Sequence, residues 1–197
     1  MEIQYLHRLE VLSLPFNAGL TGPLTFGLAK LGNLEKLELP YCSLTGTIPD
    51  WLGDMNLLTN LGLGNNILYG EVPSTFFELS NMEYLGLDDN ALDADIASFG
   101  KLSNLQQLYL EDNGFFGTLS EDVISSWSKM VELDLSSNAL DTTLPNNIFS
   151  MTDLEVLDLH DNKLKGSLPE IASENTQLKF VSLYQNGLDW KIPTSIN

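Results

Sequence analysis

The chain has 197 residues, with 9 Lys+Arg set against 27 Asp+Glu, a formal net charge of −18. That balance excludes a nucleic-acid binder, whose surface must meet phosphates with Lys and Arg, and it disfavours docking on an anionic membrane. At 43% hydrophobic residues the chain can bury a core, a lone cysteine (Cys42) excludes an internal disulfide, and no apolar run reaches the ~18–20 residues of a membrane span.

The N-terminal stretch places Glu2, Gln4, His7 and Arg8 close behind Met1 and does not read as a secretory leader. The first organised unit is Leu9-Glu10-Val11-Leu12-Ser13-Leu14-Pro15-Phe16, ending at Asn17. Comparable units end at Cys42, Asn66, Asn90, Asn113, Asn138, Asn162 and Asn186, at intervals of 25, 24, 24, 23, 25, 24 and 24 residues. Each fits L-x-x-L-x-L-x-x-N/C, with Met82, Met130 and Val181 standing in for leucines. Two leucines one residue apart share a strand face, because side chains alternate with period two. Leu61 and Leu63, or Leu157 and Leu159, therefore point into a core, and successive strands stack as a parallel sheet. The Asn/Cys position sits where the chain bends inward, and its amide can serve backbone groups that the bend leaves unpaired. Cys42 reads as a small, weakly donating substitute on that rung rather than a reactive thiol.

After the Asn/Cys position come L-x-G-x-[IVL]-P units, as in Leu44-Thr45-Gly46-Thr47-Ile48-Pro49, Leu68 to Pro73 and Leu164 to Pro169. The glycine is replaced at Ala94, Thr142 and Trp190. Beyond the proline, apolar residues fall every third position: Leu52, Met55 and Leu58; Phe76, Leu79 and Met82; Ile148, Met151 and Leu154. A period of three predicts 3-10 turns, whose i and i+3 side chains eclipse.

These two half-motifs together resemble the plant-specific leucine-rich repeat of receptor-like kinase ectodomains, receptor-like proteins and polygalacturonase-inhibiting proteins. The resemblance covers the whole chain and implies an α/β repeat solenoid. It would be a right-handed leucine-rich repeat superhelix with a parallel concave sheet and a 3-10/loop convex side. Residues 1–197 read as one domain of about eight repeats of 23–25 residues. The frame Ile3, Leu6, Leu9 opens in a convex segment, and Pro193 with Ile196 closes near the same phase. The cysteine-bearing caps of the resembled ectodomains are missing, so the expectation is a fragment of a longer array, with self-association through uncapped ends.

No catalytic constellation is expected. His7 and His160 are the only histidines, no nucleophile motif or phosphate-cradling loop accompanies them, and neither cofactor nor metal is implied. The binding surface is named by the strand alternation. The outward columns bring Asp88, Asp89, Glu111, Asp112, Glu132, Asp134, Asp158 and Asp161 onto one face with Tyr84 and Tyr109. Phe16, Tyr41, His160 and Tyr184 extend it. A carboxylate field with embedded tyrosines suits a Lys/Arg-containing peptide or protein, since acids pair with cations and rings accept cation–π contact. On the convex side Trp51, Phe77, Phe116 and Trp127 are either a partner patch or wedges between turns.

The expected function is a recognition module of a receptor-like or secreted protein, with its cell-surface or extracellular location supplied by the resemblance alone. Inhibition of a secreted hydrolase through the same face is one alternative. An intracellular, cytoplasmic scaffold is another, favoured by the single cysteine and the absence of Asn-x-Ser/Thr acceptors. Ice binding has a precedent in this repeat class but would want regular ranks of small polar residues, which these columns lack.

Overall fold

The computed structural model describes residues 3–170 and 177–189. Eight three-residue strands, from Val11–Ser13 in the first turn to Phe180–Ser182 in the eighth, pair in parallel and in chain order. The pairing is in register throughout. Leu12, Leu37, Leu61, Leu85, Leu108, Leu133, Leu157 and Val181 form one continuous row across the sheet. This row faces the core, and Leu37, Leu61, Leu85, Leu108, Leu133 and Leu157 are fully buried. Truncating one of them to alanine typically costs about 2–5 kcal/mol in transfer and cavity free energy.

The convex side is built from 3-10 segments: Ile3–Tyr5, Leu28–Lys30, Asp50–Asp54, Ser74–Glu78, Ile96–Lys101 and Ile148–Ser150. The fifth turn departs from this, because Glu121–Ser126 is an α-helix. The Ser120 hydroxyl accepts from the Val123 N–H, and Glu121 and Asp122 occupy the first turn. A capping serine followed by acids stabilises an α-helical N-terminus, and this turn has one residue more than most to accommodate it.

Of the convex aromatics, Trp127 and Phe77 are wedges, at 0% and 5% exposure. The Trp127 indole N–H donates to Phe99 O at 3.1 Å, and Phe77, Phe99 and Phe115 pack edge to face at 5.0 and 5.5 Å. Trp51 is half-buried against Phe26. Phe116 is exposed, on the flank rather than the convex side.

That flank carries a second set of strands that the repeat pattern did not announce. Thr21–Gly22, Ser43–Gly46, Ile67–Glu71 and Ala91–Asp93 form a four-stranded parallel sheet. Phe116–Gly117 pairs with Ala139–Leu140, and Lys165–Gly166 with Gly187–Leu188. The motif glycines Gly46, Gly70 and Gly166 have φ of 87°, 82° and 76°, a region that other L-residues avoid. After the turns in which Ala94 and Thr142 replace that glycine, the flank pairing shrinks to single bridges, Asp95 with Phe116 and Thr143 with Lys165. Trp190, Pro193 and Ile196 lie outside the described residues.

Candidate functional site

The Asn positions hold the concave face rigid. The Asn90 amide donates to Leu63 O, Leu87 O and Asp88 O at 2.9–3.1 Å, and its Oδ1 accepts from the Leu68 N–H. Asn66, Asn113, Asn138, Asn162 and Asn186 repeat this pattern, each tying its own strand end to the preceding turn. Asn17, in the first turn, donates to Leu14 O and Pro15 O. The Cys42 thiol makes only two long contacts, to Leu14 O and Pro40 O.

The residue just before each rung has positive φ in all eight turns: Phe16, Tyr41, Asn65, Asp89, Asp112, Ser137, Asp161 and Gln185, between 48° and 59°. This left-handed row turns the chain off the sheet and throws its side chains onto the rim. Asp89, Asp112 and Asp161 therefore stand exposed at the edge of the face rather than over its centre.

The centre is occupied by Tyr84, Asp88, Tyr109, Glu111, Glu132 and Asp134, from turns four to six. Tyr84, Gln107 and Glu132 share one register row, and Gly86, Tyr109 and Asp134 the next. The Tyr109 hydroxyl donates to Glu132 Oε2, and the Gln107 amide donates to Glu132 Oε1 and Tyr109 Oη, both at 3.2 Å. The Tyr84 and Tyr109 rings lie 5.7 Å apart. Glycines make this crowding possible. A methyl group on Gly64 would run into the Asp88 carboxylate, and one on Gly86 would stand 3.0 Å from Tyr84 Oη. Asp88 is anchored there by the Asn65 amide at 2.7 Å, and Asp134 by the Ser136 hydroxyl and N–H at 2.6 and 3.0 Å.

Burial and mutual repulsion disfavour the charge of the acids Asp88, Glu111 and Asp134 at the centre of this belt. The Glu111 carboxyl is pushed up to about 8, first by burial, then by the charges of Asp134, Asp88 and Asp89. Its Oε2 is shielded from solvent with no hydrogen-bond partner. Asp88 and Asp134 are likewise raised, burial being the larger cause in each. The Tyr84 and Tyr109 phenols are raised by burial and by the surrounding carboxylates. Glu38, in the second turn, contrasts with them. Burial opposes its charge, but hydrogen bonds from Lys36 and Ser13, with the Lys36 charge, outweigh it and hold the carboxyl below its usual range. Among the described residues the other lysine pairs, Lys101–Glu78, Lys165–Asp141 and Lys179–Glu155, also involve carboxylates outside the central belt.

Two satellites flank the belt. In turns seven and eight His160 Nδ1 lies 2.7 Å from the buried Asp158 Oδ1 while its ring stacks on Tyr184 at 4.3 Å. In turns one and two Phe16 and Tyr41 stack at 4.5 Å, with 74% and 49% of their surfaces exposed. Of the acids and tyrosines named from sequence, the structure brings Tyr84, Asp88, Tyr109, Glu111, Glu132 and Asp134 together and leaves the others on the rim or in the satellites, and Asn65, Gln107 and Ser136 join as positioning residues. Glycines at outward positions 62, 64 and 86 were the sequence signal for the close approach of Tyr84 and Asp88.

A leucine-rich repeat family model matches residues 103–164, and a second leucine-rich repeat model matches residues 33–55. A search of curated protein sequences gives no significant match. Solved structures do match along the chain. The plant peptide hormone receptor RGFR1 in complex with RGF2 is 31% identical, with a TM-score of 0.83 over 94% of this chain and 30% of its own. The PEPR1–AtPEP1 complex is 29% identical, with a TM-score of 0.91 over 98% of this chain and 27% of its own. A plant ice-binding protein is 25% identical, with a TM-score of 0.77 over 98% of this chain and 69% of its own. The chain spans less than a third of the length of the two receptor structures.

Proposed function

We propose that this chain, a leucine-rich repeat solenoid whose repeats are similar to those of plant peptide-hormone receptor ectodomains, is a recognition module that binds a basic peptide or protein segment on its concave face. The observation that carries the reading is the central belt itself. Asp88, Glu111 and Asp134 are crowded into a partly desolvated surface, Asp88 and Asp134 accept from the neutral donors Asn65 and Ser136, and Glu111 Oε2 has no partner. A Lys or Arg side chain supplies the missing charge and donors, and a charged hydrogen bond in such a setting contributes about 1.5–3 kcal/mol. Tyr84 and Tyr109 offer the apolar walls and ring faces that accompany such pairs at interfaces. The solved receptors with peptide ligands support a peptide as the occupant, and through them a place at the cell surface. Among the described residues no helix is long and apolar enough to cross a membrane.

The ice-binding likeness does not favour a second reading. Regular small polar ranks would be needed, whereas the outward rows mix Lys36, Tyr84, Gln107, Glu132 and Phe180.

The test is titration of a fluorescent Lys/Arg-rich decapeptide into the chain, with an acidic decapeptide as control. Binding of the basic peptide alone is expected, weakening as salt rises from 50 to 500 mM because exposed pairs are screened over ~8–10 Å near physiological ionic strength. Asp134→Asn and Asp88→Asn should each weaken it by about tenfold, corresponding to ~1.4 kcal/mol. Equal binding of the two decapeptides, or affinity indifferent to salt and to both variants, would remove the concave belt from the account.

A further inference from the structure

The concave face differs along its length: one end carries an exposed aromatic pair, and the middle carries a cluster of acids. In the first two turns Phe16 and Tyr41 stand on the rim in the left-handed region, at φ 59° and 55°. Bulky aromatic residues are uncommon in that conformation, and four of the other turns place Asn or Asp there instead. Neither ring is part of the buried core, and both are exposed. Glu38, on the second-turn strand beside them, is paired with Lys36. The third turn presents Gly62, Gly64 and Asn65, and Asn65 is tied back to Asp88, so the floor between the rings and the belt is low. A strained, exposed aromatic pair beside a low floor and an uncompensated carboxylate cluster is an arrangement whose parts are separated along the solenoid axis.

Accepting that the face binds a basic peptide, we infer that its ligand is an extended peptide with two anchors: a ring-bearing apolar residue seated against the Phe16–Tyr41 stack, and a Lys or Arg side chain over Glu111. Tyr41 belongs to the second turn and Glu111 to the fifth, three strand spacings apart, or ~14 Å at ~4.8 Å per strand. An extended chain covers that distance in about four residues at ~3.3 Å each. The ligand crosses the strands, its backbone over the glycine floor of turn three. Charge complementarity fixes the cation at the middle turns, because Glu38 beside the aromatic pair is matched already by Lys36, whereas Glu111 Oε2 has no partner. The gain over a singly anchored peptide comes from effective concentration: once the cation is seated, the second contact is intramolecular.

The experiment uses Gly/Ser decapeptides carrying one Trp and one Arg separated by zero to eight residues, in both orders, with Arg-only decapeptides as reference. Their dissociation constants are read by fluorescence anisotropy against the chain and against Phe16→Asn/Tyr41→Asn. Asparagine occupies this backbone position in turn three with φ 54°, so the double variant keeps the left-handed turn, and circular dichroism checks that it remains folded. The expected result is an affinity maximum at three to five intervening residues in at least one order, about tenfold tighter than Arg alone. The double variant should lose that maximum while binding the Arg-only peptide unchanged. Affinity independent of spacing, or a maximum that survives the double variant, overturns the two-anchor ligand and leaves the basic-peptide reading intact. So does an optimum at one or two residues, which matches the His160–Tyr184 stack two strands away on the other side of Glu111. If no Arg-containing peptide binds at all, the basic-peptide reading fails first and takes this inference with it.

Discussion

At the scale of single residues the solenoid is held by amides that each do several jobs. Asn90 satisfies three carbonyls and one N–H across two turns. Replacing it with alanine leaves those groups without their partner inside a packed bend, and each unsatisfied buried group costs about 1–3 kcal/mol. Asn90→Ala is therefore expected to destabilise the chain by about 2–4 kcal/mol in urea unfolding. Cys42→Ala should cost under about 1 kcal/mol, because the thiol contributes only two long, weak contacts. Comparable losses at the two positions would mean that the rung is space-filling rather than hydrogen-bonding. The rung is legible in sequence because its spacing is regular and its chemistry distinctive. The left-handed residue before it is not. Asn65, Asp89, Asp112 and Asp161 are types that tolerate positive φ, but Phe16, Tyr41, Ser137 and Gln185 hide the row. Strand alternation alone therefore puts Asp89, Asp112 and Asp161 on the same face as the other acids without distinguishing its rim from its centre.

At the scale of elements, the concave strands and convex 3-10 turns follow directly from periods of two and three in the apolar residues. The flank strands do not, because they are two to five residues long and paired between turns. No period within one repeat reports them. What the sequence did carry is the glycine of L-x-G-x-[IVL]-P, whose meaning is conformational. Gly70 has φ 82°, and a methyl group added there meets the Thr47 side chain at 3.4 Å. Gly70→Ala is expected to cost about 1–3 kcal/mol, the usual penalty for holding a non-glycine residue at positive φ. Gly32→Ala is the matched control. Gly32 lies in open space without positive φ, so the substitution should be neutral or stabilise by up to about 1 kcal/mol through the unfolded chain. Thermal unfolding of the two variants side by side decides the point, and equal melting temperatures would show that the flank strands contribute nothing to stability. The α-helix Glu121–Ser126 was readable in principle from Ser120 followed by two acids, a capping signal that the spacing of apolar residues does not carry.

At the scale of the whole molecule, a net charge of −18 and a belt of crowded carboxylates make protonation a global variable. The Glu111 carboxyl has an ordinary value of 4.5 and stands at about 8 in the folded chain, through burial first and the neighbouring Asp134, Asp88 and Asp89 charges second. A group whose folded value is raised contributes stability that is complete below its ordinary value and is lost as the pH climbs through the folded one. Stability should therefore decline between pH 5 and pH 8. The raised Asp88 and Asp134 act in the same sense, as does the repulsion of a growing net negative charge. Glu111→Gln, a neutral replacement of similar shape, should melt higher than the parent at pH 8 and show a shallower decline, with little difference at pH 5. A cationic ligand reverses the sign for binding. It stabilises the ionised carboxyl, so affinity for a basic peptide should rise between pH 6 and 8 and binding should release a proton from Glu111. Calorimetry of the same titration in buffers of different ionisation enthalpy measures that proton directly. An observed enthalpy independent of buffer, together with a Glu111→Gln variant whose melting temperature tracks the parent at every pH, would mean that Glu111 is already ionised in the free chain and that the cation meets a charge rather than creating one.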